Sequence, residues 1–516
     1  MKKTIHLLLL LLIAPVAFSQ NFGADVIIEN NAAVDQNAVE LTTAFNGWIF
    51  AAYRTTDAAT NSGGVTIRKS VDGGLTWTTM DSYSVEGIVY ESFDLVATGN
   101  DLASLRVFVV GVNHSISSNT YILYIDKYDG VTGNFINTPY SLNKGTNRVN
   151  DVEIASDGDF PAVGASPYSI GMLYSAFGSI NDSIISIVSM DGGTTFPVRQ
   201  TVSAFPVFSR NVSLTYGRSE SASNGRYFAA WEQVTSPSVR TGNIYTSRNV
   251  STVNTSWIPA ENLDSLSSSM AGLCRNPRIA VQRSAVDNDS AAVTAVVLVD
   301  RDFLGDGSDY DQLGFYNKRA HFTNFWYRLD VNNSGNNDFG GDIIYEDSND
   351  LFHAVYFDST SRELIYVTQE VNVLVPNSWT EQLSGMNDLP DSTVAPVPRI
   401  AFTAANDQLA LAWTDGRSNG NGVVKFDSQG FLSVGLNEIE ELSVRVYPNP
   451  AVDVLHVKTE LSGFKVTITD MNGRAVYAST PDQNDFSIQL SGLEAGTYLL
   501  RVENGSQVNS QLFVKQ

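Results

Sequence analysis

Five arginines in this chain share one local setting. Arg148 (NRVNDVEIA), Arg210 (SRNVSL), Arg275 and Arg278 (CRNPRIAV) and Arg399 (VPRIAF) each stand at the start of a short run rich in β-forming residues. A guanidinium presents a planar fork of donors that grips a carboxylate or sulfate at two points. Arginines brought together would therefore make an anion site. Carboxylates stand at the far ends of other runs: Asp57 with Arg54, Glu232, Asp300 and Asp302, Asp358, and Asp415 with Arg417. Two outcomes stay open at this point. The arginines converge on one mouth and bind a ligand, or the carboxylates neutralise them in a structural ring of ion pairs.

A second stretch with coordinating chemistry is DRDFLGDGSDYD, from Asp300 to Asp311. Asp302, Asp306, Asp309 and Asp311, alternating with glycine, are candidate oxygen ligands for Ca²⁺. The stretch lacks the closing Glu and the spacing of an EF-hand, and a solvated acidic loop is the alternative. No other cofactor is expected. Cys274 is the single cysteine, so neither an internal disulfide nor a cysteine-based zinc site can form, and a buried neutral thiol is expected. The five histidines, His6, His114, His321, His353 and His456, do not share metal-ligand spacing.

The elements that must position these residues repeat. The aromatics Trp77, Phe135, Phe196, Trp257, Trp326 and Trp379 follow one another at 58, 61, 61, 69 and 53 residues. A period near sixty means a stacked or circular array. Three β-type runs precede each aromatic. The first runs are VELTTAF, FDLVAT, DVEIAS, VSLTYG, PRIAVQ, DIIYED and PRIAFT. The second include WIFAAYR, LRVFVVGV and LALAWTD, the third include VTIRKS, YILYID and VVKFD, and a fourth run such as WTTMDSY follows most aromatics. Helical periodicity is absent. Seven repeats of four antiparallel strands predict an all-β, seven-bladed β-propeller. The N-terminal DVIIEN is the expected strand that completes the last blade, in preference to GFLSVG after Gly430. Loops into the first strands and out of the second strands would then open on one axial face. There the candidate ligand-binding residues are Arg148, Arg210, Arg278, Arg399, Glu232, Asp415 and Arg417.

The segment SVDGGLTW, residues 70 to 77, has the chemistry of a turn. Asp72 can accept hydrogen bonds from turn amides, Gly73 and Gly74 allow hairpin angles, and Trp77 can pack between sheets. It resembles the Asp-box (BNR) repeat of the sialidase superfamily, Ser-x-Asp-x-Gly-x-Thr-Trp. Ser70, Asp72, Gly74, Thr76 and Trp77 fit it fully, and Ser189, Asp191, Gly193, Thr195 and Phe196 fit with Phe for Trp. Asp129 and Phe135 are a weaker echo. The resemblance implies a propeller turn; it does not imply sialidase activity, because many members bind or scaffold. Sialidases of this superfamily use three arginines, a Tyr nucleophile helped by a Glu, and an Asp acid/base. Their Phe-Arg-Ile-Pro motif is missing, PRIA at 277–280 and 398–401 echoes it only loosely, and Tyr90-Glu91 does not pair as nucleophile and helper. No catalytic residue is carried over.

The two ends point to export. MKKTIHLLLLLLIAPVAFSQ has a positive start, an apolar run too short to span a bilayer, and small residues Ala17 and Ser19 before a cut at Gln20, as in a secretory signal peptide over residues 1–19. No cysteine adjoins the cut, which excludes a lipoprotein anchor, and no later segment is expected to cross a membrane. Of the residues, 17% are charged and 43% are hydrophobic, and the formal net charge is −23, which argues against nucleic acid as a partner. Beyond a propeller over 20–436 and a linker over 437–441, Tyr447-Pro448-Asn449-Pro450 starts a new module, with a hairpin turn at Asn472-Gly473 and a small Ig-like β-sandwich over 442–516 expected. YPNP, TDMNGRAVY and LEAGTYLLRV, which supply Gly473, Gly496 and Tyr498, resemble the C-terminal sorting domain of type IX secretion cargo. That resemblance implies the type IX secretion machinery as partner and a secreted or outer-surface location. The expected function is binding of an extracellular glycan or protein through the axial face. The alternatives are an exo-sialidase-like glycoside hydrolase acting on acidic sugars and a structural surface or adhesion protein.

Overall fold

The computed structural model describes residues 22, 24–29, 31, 33–57, 62–157, 168–176, 182–205, 208–217, 225–250, 256–266, 273–282, 293–302, 304–320, 326–331, 337–374, 378–383, 386–387, 397–403, 405–416, 421–429, 445–459, 464–470, 474–481, 483–504 and 507–516. The chain divides into two compact units, Met1–Gly430 and Phe431–Gln516. Strands account for nearly all regular structure, with two short 3₁₀ turns. Among the described residues no helix is long and apolar enough to cross a membrane.

Among the described residues the first unit holds seven four-stranded antiparallel sheets in a propeller-like order. Sheet one is Asp35–Thr43, Ile49–Asp57, Ser62–Ser70 and Thr78–Glu86. The first strands of sheets two to seven are Ile88–Thr98, Val149–Ser156, Phe208–Gly217, Cys274–Val281, Asp338–Glu346 and Arg399–Thr403. The second strands are the most buried, and Ile170–Ala176 and Gln408–Gly416 are buried throughout, because both faces are covered by neighbouring sheets. The fourth strand Thr78–Glu86 is largely exposed. Alternating aliphatic and aromatic side chains from adjacent sheets fill the space between them; Phe108, Val110, Val112, Ile170, Met172 and Tyr174, from sheets two and three, form one such cluster.

Sheet seven is completed by the N-terminal strand Val26–Ile27, which pairs antiparallel with Gly422–Gln429. The rival closing segment after Gly430 lies outside the described residues. The N-terminal segment is held on three sheets. Phe22 meets Tyr366 of sheet six edge-on at 5.9 Å. Asp25 pairs with Lys425 of sheet seven at 3.2 Å, and Glu29 pairs with Arg68 of sheet one at 3.0 Å.

Two turns between third and fourth strands have the same hydrogen bonds. In the first, Ser70 Oγ donates to Asp72 Oδ1 at 2.8 Å and accepts from Gly74 N at 2.8 Å, and Asp72 accepts from Thr76 N at 2.9 Å and Thr76 Oγ1 at 2.6 Å. In the second, Ser189, Asp191, Gly193 and Thr195 repeat each bond at 2.8, 2.9, 2.8 and 2.6 Å. Gly74 and Gly193 have φ of 96° and 71°. A Cβ there would stand 1.9 Å from Phe426 and 2.3 Å from Phe108, so glycine is required by both angle and space. Trp77 then meets Phe426 edge-on at 5.1 Å, and Phe196 meets Tyr140 at 6.2 Å. In both turns the aromatic packs on the preceding sheet. The weaker echo differs: Phe135 is 52% exposed and touches Tyr128 of its own sheet.

The second unit is two sheets around one core. Arg445–Tyr447, Val454–Lys458 and Asp485–Gln489 form one sheet. Ala475–Ser479, Lys465–Asp470, Gly496–Asn504 and Gln507–Lys515 form the other. Leu455, Val457, Val466, Ile468, Leu500 and Phe513 fill the space between. Asn449 Oδ1 accepts from Val514 N at 2.9 Å, tying the Tyr447–Pro450 loop to the last strand. Tyr447 stacks on His456 at 5.4 Å, Tyr498 stacks on Phe513 at 5.7 Å, and the Tyr498 hydroxyl donates to Glu494 O. The hairpin residues Asn472 and Gly473 lie outside the described residues.

Candidate functional site at the propeller axis

One position recurs in every first strand and faces the axis: Glu40, Asp94, Glu153, Ser213, Arg278, Asp342 and Arg399, in sheet order. The local cause is a β-bulge. In sheets one to six the pairing of first and second strands slips just before this position, between Asn37/Val39, Tyr90/Ser92, Val149/Val152, Arg210/Ser213, Arg275/Arg278 and Phe339/Asp342. A bulge bends the strand and re-aims the side chains beyond it. The bulge backbone is left-handed at Ala38, Asn211, Asn276 and Gly340, with φ of 55°, 52°, 51° and 72°. Asn and Gly tolerate that region best, which accounts for three of the four.

The ring side chains also join the sheets. Asp94 Oδ2 accepts from Ile154 N at 2.8 Å, Ser213 Oγ from Ile279 N at 3.1 Å, and Asp342 Oδ2 from Ile400 N at 3.0 Å. In each case the acceptor belongs to one sheet and the amide to the next. Between sheets seven and one the link is ionic. Arg399 donates from Nε and Nη2 to Glu40 at 2.6 and 2.9 Å. Arg278 makes a short ion pair with Glu153, two sheets away.

Glu40, Glu153, Arg278 and Arg399 form a waist between two cavities. The cavity on the bulge side is about 440 Å³, with Arg54, Glu91, Asp151, Asn211, Arg275 and Asn276 on its walls. The cavity on the other side is about 370 Å³, and adds Asp94, Asp342 and Asp347 to the waist carboxylates among Leu, Ile and Tyr side chains. Both are of a size that holds a small ligand or a sugar unit.

Burial dominates the electrostatics. It raises the Glu153 carboxyl to about 7, against the pull of Arg278. It raises Asp94 well above the usual carboxylate range, and the adjacent Glu153 and Glu40 add to the rise. Burial opposes the charge on Arg278, but Glu153, Glu40, Asp342 and Asp94 outweigh it and hold the guanidinium firmly protonated. Asp151 is raised by burial, and the bond from Asn211 N at 2.7 Å offsets part of that rise.

Of the seven ligand-binding residues expected from sequence, Arg278 and Arg399 line the axial cavities. Arg148, Arg210, Glu232 and Asp415 are not among the residues lining these two cavities. Arg148 is 54% exposed and reaches Glu91 at 4.0 Å. Arg210 is consumed by Glu232 at 2.8 Å and by the carbonyls of Val239 and Arg240 at 2.8 and 2.9 Å, so both partners act as a loop clamp. Asp415 pairs with Lys425 at 2.9 Å beside Asp25, at the closing strand. Arg417 lies outside the described residues. Run-end residues such as Arg54 and Arg275 line only the bulge-side cavity, whereas the waist is lined from the middle of the first runs. The signal was present: a polar residue sits between non-polar ones in VEL, FDL, VEI, VSL, PRI, GDI and PRI.

The acidic loop is a self-bonded turn. Asp302 accepts from Gly305 N and Gly307 N, each at 2.8 Å, Asp306 accepts from Ser308 N at 2.9 Å, and Asp311 pairs with Arg301 at 2.6 Å. Asp309 is raised by burial and by Asp311. Among the described residues no group of three or more His, Cys, Asp or Glu could hold a metal ion, so the four carboxylates do not meet as the Ca²⁺ expectation required. Cys274 is buried, and burial pushes its thiol up.

Comparison with known proteins assigns one end of the chain. Residues 445–516 match the family of secretion system C-terminal sorting domains. No curated protein sequence matches the chain. Among solved structures, a protein of unknown function from Dyadobacter fermentans is similar at 12% identity and TM-score 0.44, over 80% of this chain and 99% of that one. An α-L-arabinofuranosidase of Fusarium graminearum, solved as a point mutant in complex with an iminosugar inhibitor, is similar at 10% identity and TM-score 0.44, over 79% and 98%. PorZ, a bacterial surface component of the type IX secretion system of Porphyromonas gingivalis, is similar at 11% identity and TM-score 0.32, over 93% and 82%. The sorting domain implies export through type IX secretion, to the cell surface or the extracellular space.

Proposed function

We propose that this protein is a seven-bladed, Asp-box propeller with an Ig-like sorting tail, exported with a cleaved signal peptide, that binds an extracellular glycan or protein through its axial face. The domains run over 20–436 and 442–516, with a linker at 437–441. The observation that supports binding is the pair of ligand-sized cavities at the axis, walled by side chains that differ from sheet to sheet. Within them Arg278 and Arg399 are the residues retained from the sequence-based set. Arg148, Arg210, Glu232 and Asp415 support the loops around the unit.

A second reading, glycoside hydrolysis of an acidic sugar, is favoured by one feature: Glu153, held near 7, is poised to give or take a proton at neutral pH. The arginines argue against it, since each is already matched by a carboxylate of the protein. Turnover of a fluorogenic sialoside by the exported chain, beside Arg278→Ala, separates the readings. No release of fluorophore, with retention on an immobilised glycan or protein, is the expected outcome. Release that disappears in the variant would make the protein a hydrolase.

A further inference from the structure

We propose that Glu40 and Glu153 are specificity-determining residues of the axial site, which exclude acidic ligands by occupying the guanidinium forks and leave the cavities to uncharged, hydroxyl-rich ligands such as neutral sugars. The inference rests on the axial-face reading and names its ligand class.

The argument is one of valence. An anionic ligand at the axis needs an unmatched guanidinium, because two-point bonding to a carboxylate uses one full face of the fork. Glu40 takes Nε and Nη2 of Arg399, which is that face. Glu153 takes Nη1 of Arg278. All four side chains are mostly buried, with exposures of 13% to 19%, so the pairs are poorly screened and water does not readily separate them. In the cavity beyond the waist the remaining charge is negative, while in the bulge-side cavity Arg275 is paired with Asp300 and Arg54 donates to Asn37 and to the Tyr90 carbonyl. Asp94 and Asp342 stand beside the same pairs, and Asp347 lies on the wall beyond. A carboxylate or sulfate entering there would displace Glu40 or Glu153 and leave it buried without its partner, a large penalty. A hydroxyl meets no such penalty. Carboxylate oxygens accept hydroxyl donors readily, and the Leu and Ile side chains around them can pack on the apolar face of a sugar ring. The same carboxylates that shut out an acid therefore receive an alcohol.

The test uses the full exported chain at pH 8. N-acetylneuraminic acid and its methyl ester differ in the charge of the carboxyl and by one methyl group. Isothermal titration of each against the wild-type protein is expected to find no preference for the acid. The second arm titrates inorganic sulfate into Glu40→Gln, Glu153→Gln and the double variant. Removing the internal counter-charge frees each fork, and sulfate affinity is expected to rise about tenfold or more in every variant that keeps the wild-type circular dichroism spectrum. Acid bound about tenfold more tightly than ester by the wild type overturns the proposal. Folded variants that gain no sulfate affinity overturn it as well. If the wild type binds neither sugar while the variants gain sulfate, the selectivity assignment stands and sugar binding at the axial face fails. If neither sugar binds and no variant folds with a sulfate gain, both fall.

Discussion

The rim and the axis of the propeller-like unit repeat in different ways. At the rim, the turns at Ser70–Trp77 and Ser189–Phe196 repeat the same Ser, Asp, Gly and Thr, with matching hydrogen bonds and the same left-handed glycine. At the axis, one position recurs in all seven sheets, but its occupant changes through Glu, Asp, Glu, Ser, Arg, Asp and Arg. A repeated identity marks a local job that every turn must do alone. A repeated place with changing identity marks a surface composed jointly by several sheets. The contrast separates a turn built alone from a surface shared between sheets, and each experiment below tests it.

The largest effect is expected at the axis. Arg278→Ala leaves Glu153 enclosed without its partner, and should cost about 3 kcal/mol or more in chemical denaturation. Adding Glu153→Gln should recover most of that loss, because the axis needs matched charges rather than particular residues. An unrecovered loss would make the axis behave like the rim.

Trp77→Ala comes next. It removes a ring wedged on Phe426 and should cost about 2–3 kcal/mol, less than a fully buried Trp, with axial ligand binding unchanged in the folded protein. Altered binding would couple the two regions.

Asp72→Ala should cost about 1–2 kcal/mol, since it strips acceptors from Thr76 and Ser70. Thr76→Ala on top should bring no recovery, in contrast to the axial pair.

The effects of pH come last, and they have opposite signs. Asp191 is held at about 2: slight burial works the other way, but bonds from Thr195, Ser189 and Thr194 prevail. Its contribution is complete above about 4, the unfolded value, and is lost as pH falls toward 2. Asp191→Asn should flatten that acid limb of a melting-temperature profile. Glu153 is raised to about 7, so the folded state holds its proton more tightly than the unfolded one. Its contribution is present at low pH and declines between about 4.5 and 7. Relative to Glu153→Gln, the wild type should therefore lose stability as pH rises through that window. A flat difference between the two profiles would remove Glu153 from the buried set.

Much of the fold was legible because it is written in short-range chemistry. A turn such as SVDGGLTW carries its own donors, acceptors and left-handed glycine, so its shape follows from eight residues. The four-run period and the strand Val26–Ile27 that completes sheet seven are likewise patterns along the chain. The site was less legible. Arg210 and Glu232 were expected at the axis, yet the register of Arg210 opposite Glu232 on adjacent strands makes them each other's partner. Asp302, Asp306 and Asp311 are close in sequence, but their carboxylates turn onto the local backbone, Ser308 and Arg301. Proximity along the chain says nothing of which lone pairs remain unused.

By itself, then, the sequence determined an all-β chain of repeated four-strand units, its rim turns and its sorting tail, because each rests on contacts within a few residues or one strand pair. Only the tertiary structure decided that Arg399 meets Glu40 across 359 positions and that Arg278 meets Glu153 across 125. The physical reason is the bulge. In six of the seven sheets it precedes the side chain that points inward, and which of the six charged residues at that position pair depends on the order of sheets around the axis, a property that no single segment contains.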